Sequence, residues 1–107
     1  MRKPLPDCPV ETTLQLIGDK WKILIIRDLL DGTKRFNELK KSLTGITQKV
    51  LTSKLRDMED SGLLTRKIYP EVPPKVEYSL TNLGSSLFPI LEILATWGDE
   101  YKKSILY

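Results

Sequence analysis

Gln48, Lys49, Thr52, Ser53 and Arg56 carry the groups that read base edges and phosphates. Lys and Arg bond guanine or phosphate, Gln bonds adenine, and Thr or Ser serves either. At about 100° per residue, Lys49, Thr52, Ser53 and Arg56 fall within roughly 100° of arc on one helix face. Gln48 reaches out from the first turn of the same helix. Leu51, Leu55 and Met58 share the opposite side, which must therefore be core. The acidic residues Asp57, Glu59 and Asp60 gather at the C-terminal end, where the helix dipole disfavours them. The N-terminal half, the part a recognition helix inserts into the major groove, carries none. The competing reading is the solvated face of an ordinary amphipathic helix.

Other chemistries find less support. The chain has no His and a single Cys. That removes the commonest general base, the internal disulfide and the usual zinc sites. No nucleophile–base pair and no Gly-rich phosphate loop is visible, so the chain is read as a non-enzyme with no metal and no cofactor. Nor does any apolar run approach the roughly 20 residues of a membrane span. The opening MRKPLPDCPVE lacks the apolar stretch of a secretory signal, and the expected location is cytoplasmic, without a membrane partner.

The elements that must position these residues fit one domain, residues 1–107. Net charge is +3 and the pI is about 9.0, but the excess is uneven. Residues 33–75 hold ten basic and five acidic side chains, whereas 1–32 balance and 76–107 are net acidic. Pro9 suits the first position of a helix over about 9–17, ended by Gly18. Asp19 caps a second helix over about 20–31, closed by Gly32. Its apolar residues form two stripes, so it belongs at the centre of the domain. The run Ile23-Leu24-Ile25-Ile26 could pass for a buried strand, but the caps and the length favour helix.

Arg35-Phe36 reads as a short strand and Asn37 as the cap of a third helix, 37–43. Thr44-Gly45-Ile46 makes a tight connection to a fourth helix capped by Thr47, over about 47–61, with Gly62 as terminator. Two helices joined by a few residues including Gly form the helix-turn-helix pattern. Alternating strands follow at about 64–69 and 75–80, separated by a Pro-rich loop that is extended and stiff. Thr81 then caps a long helix over about 81–103, with Pro89 inside it as a kink. The expected fold is mainly α with a small β-hairpin wing (α+β), a winged helix-turn-helix with a long C-terminal helix.

Arg66, Lys67 and Lys75 flank the wing and suit phosphate or the minor groove. Ordinary hairpin pairing, Lys67 opposite Glu77 for example, explains them nearly as well. Arg35, Lys40 and Lys41 are candidate phosphate anchors. Along the last helix, Leu83, Leu87, Leu91, Leu94 and Tyr101 recur at three- and four-residue steps, and Ile90, Ile93 and Trp97 widen that face. A domain of this size has no obvious way to cover so broad an apolar surface alone, although single exposed apolar residues are common.

The chain resembles the HxlR family of winged helix-turn-helix regulators, relatives of the MarR type. The likeness rests on Cys8-Pro9-Val10, Gly18-Asp19-Lys20-Trp21, Phe36-Asn37-Glu38-Leu39, the stretch from Leu55 through Gly62-Leu63, and above all VPPKVEYSLT, residues 72–81. It implies a dimeric, DNA-binding transcription factor, usually a repressor, whose partner is double-stranded DNA bearing an inverted repeat. A homodimer would bury Val10, Leu14, Leu87, Ile90, Leu91, Leu94, Trp97 and Tyr101. A winged-helix module used only for protein contact is the alternative. The sequence names no small-molecule effector. By analogy with sensors of the family, Cys8 is a candidate redox- or electrophile-sensing thiol. It lies by the positive end of the first helix with Arg2 and Lys3 nearby and Asp7 opposing, an environment suited to a reactive thiol. The plain alternative is a structural Cys.

Overall fold

A computed structural model describes residues 4–106. Five helices and a short sixth combine with a three-stranded sheet, in the order α1 (Pro9–Ile17), α2 (Lys20–Leu30), β1 (Lys34–Arg35), α3 (Phe36–Ser42), α4 (Gln48–Asp60), β2 (Leu64–Tyr69), β3 (Lys75–Leu80), α5 (Asn82–Ser85) and α6 (Phe88–Leu106). The sheet order is β1-β3-β2, with both pairs antiparallel. No helix among the described residues is long and apolar enough to cross a membrane.

Local chemistry sets most boundaries. The Asp19 carboxylate accepts from the backbone N–H groups of Trp21 and Lys22, and Thr47 Oγ1 accepts from Val50, so both are true N-caps. The end of α4 is a Schellman turn: the Gly62 N–H bonds the Glu59 carbonyl and the Leu63 N–H bonds that of Met58. Gly62 sits at φ +80°, a conformation that would strain a side-chain-bearing residue.

Helix α2 runs through the middle, with Ile25 and Ile26 fully buried and Leu29 nearly so. Against it pack Leu39 of α3, Leu43 and Ile46 of the turn, Leu51, Leu55 and Met58 of α4, and Leu64 and Tyr78 of the sheet. Each fully buried aliphatic side chain contributes about 1.5–3 kcal/mol relative to an exposed one. The core thus fixes α4 by one side and leaves the other side to solvent.

Three expectations are corrected. The third helix begins at Phe36, not after an Asn37 cap: Arg35 holds the cap position, and Glu38 reaches back to accept from its backbone N–H at 2.9 Å. The short strand is Lys34–Arg35, not Arg35–Phe36, and it pairs with β3, so the sheet has three strands. The last helix is not one kinked rod starting at the Thr81 cap. It breaks at Ser86-Leu87, where the Leu87 N–H bonds the Gly84 carbonyl, and α6 starts afresh at Phe88. Pro89 therefore occupies the first turn of a new helix, where its missing N–H has no intrahelical partner to lose.

The joint ahead of α6 is tight. The Thr81 hydroxyl donates to the Gly62 carbonyl at 2.6 Å and accepts from the Gly84 N–H at 3.1 Å. A β-carbon on Gly84 would overlap the Leu63 carbonyl, so only glycine lets α5 lie this close to the end of α4. Beyond Leu91, every described side chain of α6 through Ile105 is exposed, and the molecule is correspondingly elongated at 51 × 36 × 24 Å.

Candidate nucleic-acid interface

Three ion pairs brace helix α4, two toward α2 and one toward β2. Lys54 bridges to Asp19 at the start of α2, Lys22 of α2 reaches Asp57 at 3.6 Å, and Arg66 of β2 reaches Glu59 at 3.6 Å. Each such partly exposed pair contributes about 0–1 kcal/mol, so their role is more to fix the helix's rotation than to hold the fold. The Asp19 carboxyl is pushed up by partial burial, but Lys54 and the two capping N–H groups outweigh that and hold it below the usual carboxylate range.

The face left free is the one the spacing singled out. Gln48, Lys49, Thr52, Ser53 and Arg56 line a shallow hollow of about 720 Å³, joined at its C-terminal end by Asp57 and Asp60. Lys49 and Arg56 are exposed and enter no ion pair among the described residues. The two acidic side chains sit about two and three turns from Lys49, so the hollow is polarised along its length.

The other candidate cations are dispersed. Lys40 and Lys41 are exposed on α3, likewise outside any ion pair among the described residues. Arg35 lies on β1 and Lys67 and Lys75 on the wing strands, while Arg66 is drawn toward α4 by Glu59. Lys67 does stand opposite Glu77 in register, but the ion pair forms between Lys75 and Glu77, at 3.6 Å. Lys67 instead rests over the Tyr69 ring, 4.8 Å from its centroid. The sequence offers Glu77 only as a hairpin partner of Lys67 and gives Tyr69 no role; the i, i+2 spacing of Lys67 and Tyr69 is the signal that places the ring beside the lysine. Strand alternation also fails at one point. Ile68 shares the inward face with Leu64, yet it is 58% exposed because the wing projects past the core.

The apolar set at the other end divides in two. Leu87 and Leu91 turn inward and pack on the chain's own core. Ile90, Leu94, Trp97 and Tyr101 remain exposed on α6, and Val10 and Leu14 are exposed on α1. Trp97 and Tyr101 stack, with centroids 5.4 Å apart and planes at 11°. Cys8 is exposed at the N-cap of α1, where its carbonyl accepts from Thr12. Asp7 is also exposed; Arg2 and Lys3 lie outside the described residues.

Comparison with known proteins bears on the family and the fold. The chain is 51% identical over 98 residues to the HTH-type transcriptional regulator YdeP of Bacillus subtilis (strain 168), covering 92% of this chain and 77% of that protein. The crystal structure of the HTH-type transcriptional regulator ytcD superposes with a TM-score of 0.86 at 47% identity, over 90% of this chain and 98% of that one. The redox regulator HypR in its oxidised form gives a TM-score of 0.82 at 48% identity, over 87% of this chain and 96% of that one. The profile of the HxlR-like helix-turn-helix family matches residues 16–105. With α3 and α4 as the helix-turn-helix, β2 and β3 as the wing, and regulators of transcription as its relatives, the chain belongs to the HxlR-like family of winged helix-turn-helix transcriptional regulators.

Proposed function

We propose that the chain represses transcription as a homodimer bound to an inverted-repeat DNA operator, and that oxidation or alkylation of Cys8 releases it. One observation carries the DNA-binding part: five base- and phosphate-reading side chains share the open side of α4, whose other side is locked into the core and whose first two turns hold no acidic group. Gln48, Lys49, Thr52, Ser53 and Arg56 are the major-groove set. Arg35, Lys40 and Lys41 anchor phosphates and fix register, and Arg66, Lys67 and Lys75 bring the wing against the backbone. A protein-contact module would have no need of this basic, acid-free start. The cytoplasm is the compartment this reading requires.

The dimer part rests on the exposed apolar surface of α6 together with Val10 and Leu14. Two-fold pairing there buries Ile90, Leu94, Trp97 and Tyr101, while Leu87 and Leu91 hold the root of α6 on its own subunit. The symmetry sets the recognition helices about one DNA turn, ~34 Å, apart. The Cys8 part is supported by the exposed thiol and by the similarity to a redox regulator. With one Cys per chain, the oxidised product is a bond to the partner subunit, a small-thiol adduct or a sulfenic acid.

Selection of duplexes from a random-sequence pool, followed by mobility-shift titration, tests the reading. The expected winners carry two inverted half-sites one helical turn apart. Recovery of no shifted duplex refutes DNA binding. A monomer at micromolar concentration in sedimentation equilibrium refutes the dimer.

A further inference from the structure

The outward face of the sheet carries a charged cluster with an internal order of its own. Strand register places Glu77 between Lys67 on one side and Arg35 on the other, and places Tyr69 opposite Lys75. Residues opposite one another share a face, so all five side chains stand together on the side away from the core. At the centre, the Tyr69 hydroxyl donates to Glu77 Oε1 at 2.9 Å, and Lys75 Nζ lies 3.6 Å from Glu77 Oε2. The ammonium groups of Lys75 and Lys67 sit over the Tyr69 ring, 4.5 and 4.8 Å from its centroid.

Unrestrained, a lysine ammonium sweeps a wide volume on four rotatable bonds, and ordering it at a phosphate costs entropy. Here the two lysines are gathered by one aromatic ring whose hydroxyl is tied to one carboxylate. The Tyr69 hydrogen bond first, then Lys75 and Arg35, hold the Glu77 carboxyl below its ordinary range, so the anion at the centre stays charged. Among these five strand side chains three cations stand against one anion, and Glu38 and Glu71 line the hollow that Arg35 and Lys75 share. By contrast the wing loop, residues 70–74, contains Glu71 and no cation, so the wing's positive charge lies on its strands, in the half of the ladder next to the loop, and not in the loop itself.

We propose that Tyr69 and Glu77 are positioning residues of the wing, which set Lys67, Lys75 and Arg35 in place as one preorganised phosphate-binding cluster. The proposal rests on the DNA-binding reading above, and it makes a prediction of unusual sign. If Glu77 were merely a negative charge near DNA, Glu77→Gln would tighten binding. If Glu77 positions the cations, Glu77→Gln weakens it.

A random-sequence duplex suffices as probe, because phosphate contacts do not depend on sequence. Its affinity is titrated over a range of salt for wild type, Glu77→Gln, Tyr69→Phe and Tyr69→Leu, with thermal unfolding of each. Tyr69→Leu keeps the charge count, yet its salt slope is expected to fall by about one, the signature of one lost phosphate contact. Tyr69→Phe keeps the ring and is expected to fall between Leu and wild type. Glu77→Gln is expected to bind more weakly than wild type. Should Tyr69→Leu fail to fold, Tyr69→Phe and Glu77→Gln decide the matter. Tighter binding by Glu77→Gln, or wild-type slopes in the Tyr69 variants, overturns the proposal. Failure of wild type to bind any duplex takes down the DNA-binding reading itself. Binding that needs Lys49 but is indifferent to Lys67→Ala and Lys75→Ala overturns the wing cluster alone.

Discussion

Removing Lys49 and Arg56, singly and together, interrogates the α4 face directly. The two are seven residues apart, so they lie ~10.5 Å apart along the helix and within about 20° of the same azimuth. That span covers ~3 base-pair steps, the reach of one recognition helix in a half-site. Both are exposed, and neither holds an ion pair among the described residues. Truncation should therefore leave stability within about 0.5 kcal/mol of wild type. A side chain that reads a base should cost about 1–3 kcal/mol and relax selectivity at one position. One that contacts phosphate should weaken all sequences alike and flatten the salt slope by about 0.9, which is ~3.5-fold between about 50 and 200 mM salt. With no shared partner and this separation, the two losses should add within about 0.5 kcal/mol. Mobility-shift titrations on a selected duplex and on a random one, at several salt concentrations, separate the two roles. If both single variants and the double variant bind both duplexes as wild type does, α4 is not the reader.

Other perturbations probe the scaffold and its control. Gly84→Ala should destabilise by about 1–3 kcal/mol in thermal unfolding, because the new methyl meets the Leu63 carbonyl, whereas Gly98→Ala, with open space around it in mid-helix, should stabilise by about 0.5–1 kcal/mol. Equal effects at the two positions would mean that the α5 joint is looser than described. Asp19→Ala should cost about 0.5–2 kcal/mol at neutral pH through loss of the cap. Since the folded carboxyl titrates below its unfolded value near ~3.9, the charge-dependent part of that stability is present above this pH and is lost as acid carries the protein through the lower, folded value. A gap between wild type and variant that does not narrow in acid denaturation would refute the assignment. For Cys8, diamide should lower the operator affinity of wild type but not of Cys8→Ser; equal loss in both, or none in wild type, removes the sensor and leaves DNA binding standing.

The parts of this fold legible in the sequence are those decided within a few residues. Asp19, Thr47 and Gly62 announce their caps because a short acceptor or an absent β-carbon is needed there, and Leu51, Leu55 and Met58 announce the core side of α4 by period alone. What escaped depended on choices the chain makes elsewhere. The third helix starts without a short polar cap because Glu38 supplies the acceptor from inside it. A proline inside one helix and a proline opening the next look alike in sequence; the close approach of Gly84 to Leu63 accompanies the second arrangement. Leu87 and Leu91 share a periodic stripe with Leu94, and only packing separates the residues that hold the helix from those left open. On the wing, alternation identifies which charges share a face, but not that Lys75 rather than Lys67 reaches Glu77, or that an aromatic ring lies beneath both.

The tie between Thr81 and Gly62, with Gly84 pressed against Leu63, is also the pivot of a lever. Helix α6 has 19 residues, so it extends ~28 Å from that pivot. Tilting it by 10° moves its far end by ~5 Å, about one and a half base-pair steps. In a paired molecule, the angle held at this joint would therefore gauge the distance between two reading heads. A disturbance far out along either arm would return to the DNA as a mismatch of pitch.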